Sequence, residues 1–164
     1  DVLEFQTYHY PVPLLHGLVR LVAGDSEAAR PHLEEAVSEL EQSLDEAPDD
    51  PRLLAALGLA RAGLGDRGRA IEAAEAAVAA LPIERDALDG PVYVLALART
   101  RAMLGDLDAA VDALGTYLGH LGYWSIPGIL AQPEFEALAD HPRLAELEAV
   151  SEEWMERVGV LAIR

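Results

Sequence analysis

The side chains able to do chemistry are few, and their spacing does not favour it. The histidines are His9, His16, His32, His120 and His141. No two stand four residues apart, the spacing at which one helix face holds a metal ion. The best trio is His32 with Glu35 and Glu39 on adjacent turns, and in so acidic a chain it reads as a solvated helix face. Ser38, Ser43, Ser125 and Ser151 lack the flanking glycines of a nucleophile elbow, so acyl transfer has no support. Cysteine is absent, which removes thiolate chemistry, disulfides and any sign of redox compartment. The stretch Gly63-Leu64-Gly65-Asp66-Arg67-Gly68 matches G-x-G-x-x-G, whose glycines admit a pyrophosphate to a helix N-terminus. No strand pattern precedes it and an acid sits at its centre, so it reads as a hinge between helices. No catalytic residue, cofactor or metal ion is expected.

The charged residues say more about partners than about reactions. All 12 basic residues are arginine, against 29 acids, for a net charge of -17. Such a surface repels phosphate backbones and anionic lipid, so neither nucleic acid nor a membrane surface is an expected partner. No apolar run reaches the roughly 20 residues of a membrane helix, and a cytoplasmic location is expected. Asp1 is not an initiator residue, which suggests a piece of a longer chain. Three arginines recur in register: Arg20, Arg61 and Arg101 each stand four residues before a glycine. They form either a ladder, with aliphatic stems on the core and guanidinium groups paired to acids on neighbouring helices, or a row of solvated heads.

The elements that must position these residues are helices. The composition is 51% hydrophobic but only 5% aromatic, so a core of Ala, Leu and Val is expected, which suits close helix packing. Residues 51–82 show the unit most clearly. Leu54, Leu57, Gly58, Arg61 and Leu64 recur at helical spacing, as do Ala70, Ala74, Ala77 and Leu81, on either side of Gly65-Asp66. Gly58 and Ala70 are small enough for two helix backbones to approach closely. The arrangement resembles the tetratricopeptide repeat, on Leu54, Leu57, Gly58, Ala70, Ala74, Ala77 and Pro82. Arg61 stands where that family carries an aromatic residue, and Ala74 is smaller than usual. The resemblance implies an all-α, right-handed α-solenoid acting as an interaction scaffold.

Two further copies are legible. Residues 14–47 carry Leu15, Leu18, Val19 and Val22, then Ala29, Leu33, Ala36, Val37, Leu40 and Leu44, with Gly17 and Ala29 as the small pair. Pro31 should bend the second helix or delay its start. Residues 91–121 carry Val94, Leu97, Ala98 and Arg101, then Ala110, Leu114, Tyr117 and Leu121. The hinge glycines at 24, 65 and 105 give periods of 41 and 40 residues, longer than the family's ~34. Residues 1–13 read as an ordered lead-in, either the tail of an earlier repeat or an extended segment along the first helix, because Pro11 and Pro13 discourage a helix from crossing. Residues 122–164 read as a capping segment: one short helical turn before Pro133, then a final helix from Pro142 to Val158 ended by Gly159. The run from Ile129 to Leu144 is also similar to the segment that closes repeat arrays of bacterial cyclases, kinases and transcriptional regulators, although Gln132 replaces its usual Asp. That likeness implies a signalling protein as the parent chain.

By the family alignment, the inner wall is lined by Leu14, Leu18, Leu21, Arg52, Ala55, Leu59, Ala62, Leu95, Arg99 and Ala102. Members that grip a terminal carboxylate use Lys, Asn and Arg there. Here only Arg52 and Arg99 can meet an acid. A mostly apolar wall suits an amphipathic helix or peptide of another protein. The wall is otherwise filled by the lead-in, by the final helix or by a second copy in a homo-oligomer. Tyr123 and Trp124 serve either as anchors for a partner or as packing for the cap. A non-catalytic interaction module is therefore expected, and the alternative is a helical small-molecule sensor or regulatory domain beside an attached enzyme.

Overall fold

The computed structural model describes residues 2–120, 122 and 124–159. Six helices make three antiparallel hairpins: α1 (Val12–Val22) with α2 (Ser26–Glu46), α3 (Pro51–Gly63) with α4 (Arg67–Ala80), and α5 (Gly90–Met103) with α6 (Leu107–Leu118). Each helix also packs on its neighbours in the next hairpin, α3 on α1 and α2, and α5 on α3 and α4. The cap adds α7 (Ile126–Leu130), a 3-10 helix (Pro133–Leu138) and α8 (Leu144–Arg157), the last lying on α6. The chain is thus mostly helical. Among the described residues no helix is long and apolar enough to cross a membrane.

The three hinges are closed by the same chemistry. Gly24, Gly65 and Gly105 have φ of 77°, 77° and 73°, the left-handed conformation that costs glycine least. In each, the glycine N–H donates to the carbonyl three residues back and the following aspartate N–H to the carbonyl of the register arginine, Asp25 to Arg20, Asp66 to Arg61 and Asp106 to Arg101. These are the paired bonds that satisfy the last carbonyls of a helix. The aspartate then opens the next helix, and Asp25 Oδ1 accepts from the Ala28 N–H at 3.0 Å.

Residue size sets how closely the helices lie. A Cβ on Gly17 would stand 2.5 Å from the Leu33 side chain, and one on Gly58 would stand 3.2 Å from the Ala70 carbonyl. The buried residues of α4 are all alanines, Ala70, Ala73, Ala74 and Ala77, with Val78 partly buried against the core beside them. Central helices α3 and α5 are buried on nearly every side, which is why their apolar residues run without a stripe, whereas α2 keeps one face of Ala29, Leu33, Ala36 and Leu40 inward.

Several expectations shift. The lead-in is neither a helix tail nor a single extended strand: β1 (Val2–Glu4) and β2 (His9–Pro11) form an antiparallel hairpin with Leu3 opposite Tyr10. α1 starts at Val12, with Pro13 in the first turn, where its missing N–H has no partner to lose. Pro31 does not delay α2, which runs unbroken from Ser26. The final helix begins at Leu144 because residues 138–143 form tight turns, the His141 N–H bonding the Leu138 carbonyl, and Gly159 ends it at φ 77°. Leu121 and Tyr123 lie outside the described residues.

Candidate functional site

The wall expected to face a partner is largely covered by the chain's own two ends. Leu14, Ala55, Leu59, Ala62, Leu95 and Ala102 are buried, so they are not offered on an open surface, and Leu18, Leu21, Arg52 and Arg99 are partly buried. The lead-in hairpin lies against α1, α2 and α3 and is held by polar side chains. Arg52 donates to Glu4 of β1 at 3.1 Å and to Asp50 at 2.7 Å. Gln6, at the hairpin tip, donates to Asp89 Oδ2 at 2.8 Å, just ahead of α5. From the other side comes the cap: Arg99 donates to Gln132 Oε1, and the Gln132 amide in turn donates to the Gly128 carbonyl. The Arg99 guanidinium also acts electrostatically on the Tyr10 phenol, so lead-in and cap both bear on one side chain of α5.

The electrostatics follow from this cover. Burial pushes the Tyr10 phenol up to about 12 against the opposing pull of Arg99. Burial likewise raises Tyr93 to about 12, with Asp50 and Asp89 adding to it. The Arg52 guanidinium, bonded to Asp50, holds that carboxyl below its ordinary range. These are groups held in one protonation state at neutral pH, and none is poised to exchange a proton near pH 7.

One part of the wall stays open. Leu18, Leu21 and Val22 of α1, Ala62 and Gly63 of α3 and Met103 of α5 face Pro133, Glu134 and Glu136 of the 3-10 helix across a pocket of about 360 Å³ that opens to solvent. It has an apolar floor and an acidic rim. Close approach builds the floor, since a Cβ on Gly63 would stand 2.9 Å from both Leu21 and Leu33.

The other sequence candidates fall elsewhere. His32 packs edge-to-face on His16, ring centroids 5.3 Å apart, instead of joining Glu35 and Glu39, and no cluster of three metal-ligating side chains forms among the described residues. The Gly63–Gly68 stretch ends α3 and begins α4. Trp124 serves the cap: its backbone N–H donates to the Tyr117 hydroxyl at 2.8 Å and its ring packs on Gly128, although much of it remains exposed. The arginine ladder is present in two copies of three. Arg61 meets Glu41 of α2 at 2.5 Å and Arg101 meets Glu75 of α4 at 2.8 Å, each reaching back to the preceding hairpin, whereas Arg20 is exposed and has no ion pair among the described residues.

Sequence reasoning missed Tyr10, Tyr93, Gln132, Glu134 and Met103. A signal existed for the tyrosines, because in a chain with 5% aromatic residues two that flank the wall in space are costly to leave exposed. None existed for Gln132 or Glu134, which reach the wall only through the path of the cap. No family model, curated protein or solved structure matches the chain.

Proposed function

We propose that this chain is a non-catalytic interaction module of tetratricopeptide type, a right-handed α-solenoid of three hairpins within a larger signalling protein. It holds a helix or peptide of another protein. The observation that carries this reading is the open remainder of the inner wall, where leucines and Met103 form the floor and Glu134 and Glu136 the rim. Apolar side chains seated between helices and a cation at the rim describe a basic amphipathic segment, a chemistry that the net charge of -17 also attracts. The repeated hinge chemistry supports the scaffold half of the reading, since three like units stacked edge to edge gain stability from nearest-neighbour contacts. An enclosed cavity would suit a small-molecule sensor better, and this pocket opens to solvent.

The test is a displayed library of helical peptides selected against the chain, then against a Leu18→Glu, Leu21→Glu variant. Both leucines are only partly buried, unlike Leu59, so the fold should survive the change. Enriched peptides should pair large apolar residues with Arg or Lys on one face and lose binding to the variant. Equal binding to both proteins would remove the pocket as the site.

A further inference from the structure

The contact between neighbouring hairpins is made twice with the same parts, and the parts for a third stand unused at the edge of α1. Counted from the hinge glycines, Val19, Ala60 and Thr100 share one position and Arg20, Arg61 and Arg101 the next. Ala60 and Thr100 are fully buried, at 0% exposure, while Val19 is 68% exposed. Arg61 and Arg101 are paired, and Arg20 is the one of the three without an ion pair among the described residues. Val22 on the same helix is 61% exposed. Between α1 and α2 this edge holds a hollow of about 310 Å³ lined by His16, Val19, Arg20, Ala23 and His32.

The two made contacts also specify what belongs there. Glu41 has Val37, Leu40 and Leu44 at four before, one before and three after it, and Glu75 has Ile71, Ala74 and Val78 at the same offsets. On a helix those offsets place the acid beside an apolar stripe, so one face delivers both the carboxylate and the packing surface. We propose that the open face of α1 docks a helix of a partner protein bearing a glutamate flanked by apolar residues at those offsets, with the glutamate on Arg20 and the stripe on Val19 and Val22. Among the described residues, the second helices of the three hairpins do not supply this helix from a second copy. α2 and α4 already use theirs, and α6 carries Gly115 where the acid should be, between Val111, Leu114 and Leu118, under α8. This surface adjoins the acid-rimmed pocket, which shares Val22 with it, and selects the opposite charge.

The probe is a hydrocarbon-stapled, fluorescent peptide of the α4 sequence, residues 67–81, titrated with the full chain and followed by anisotropy. Saturable binding is expected. It should weaken about tenfold or more when the peptide carries Glu75→Arg or the protein carries Arg20→Glu, because either change places like charges together. It should return when the two reversed partners are combined. Absence of saturable binding, or binding indifferent to both reversals, overturns the proposal. So does a concentration-dependent dimer in the ultracentrifuge that Arg20→Glu abolishes, since the occupant would then be a second copy.

Discussion

At its C-terminal end the helical stack is closed by Phe135, Leu138 and Leu147, all buried with Leu114, Val111 and Tyr117 of α6 in one apolar cluster, and by Arg143, which meets Asp112 at 2.8 Å and Glu146 at 2.8 Å. At its N-terminal end α1 shows Val19 and Val22 to water and carries Arg20, which has no ion pair among the described residues. The same kind of hairpin is exposed at one end and sealed at the other. The seal is specific to its end: a Cβ on Gly122 would stand 2.5 Å from the Tyr117 ring, so a larger residue there would press on the buried ring where the chain turns over α6. A repeat array needs each apolar edge covered or made polar. Among the described residues, the C-terminal edge is the one treated that way.

The sharpest way to break this contrast is to truncate a large side chain at each end. Phe135→Ala should cost about 3–5 kcal/mol, as loss of a buried ring does, while Val19→Ala should stay within about 0.5 kcal/mol. Denaturant midpoints measure both, and equal losses would mean that α1's edge is covered in the free protein. Alkali should act next, on the lead-in that lies over α1. Tyr10 and Tyr93 ionise near 10 when unfolded and at about 12 when folded, so the stability they contribute is whole below pH 10 and lost as pH rises from 10 through 12. Absorbance of the ionised phenols should show late-titrating protons, and Tyr10→Phe and Tyr93→Phe should each remove one. The smallest effect compares a single register position. Thr100 is fully buried and its hydroxyl has no hydrogen-bond partner among the described residues, so Thr100→Val should stabilise by about 1 kcal/mol. The mirror change Val19→Thr should leave the midpoint where it is, because water solvates the new hydroxyl.

Much of the fold was legible because it is written in local chemistry. Gly24, Gly65 and Gly105 mark the hinges, since a left-handed residue is needed there and only glycine adopts it without strain. The small residues Gly17 and Gly58 mark where helices come close. Two arginines of the predicted ladder find their acids. The site was less legible. Leu14, Leu59 and Leu95 fall on the expected wall by alignment, but nothing in their spacing says whether another segment lies over them. The lead-in was ambiguous for a related reason: three-residue strands carry too little pattern to distinguish, and their pairing is decided by what they rest on. α3 and α5 lack an amphipathic stripe because they are central, which also hides which side faces the groove.

The order of residues along the chain determined the helices, their breaks and the recurring arginine register, since each depends on neighbours within a turn or two. Tertiary structure alone decided that Arg52 would be taken by Glu4, that Arg99 would be taken by Gln132, and that Arg20 would be left without an ion pair among the described residues. The physical reason is distance along the chain. These partners lie tens of residues apart, and the same arginine in the same local sequence is bonded or free according to whether a helix has been folded against it.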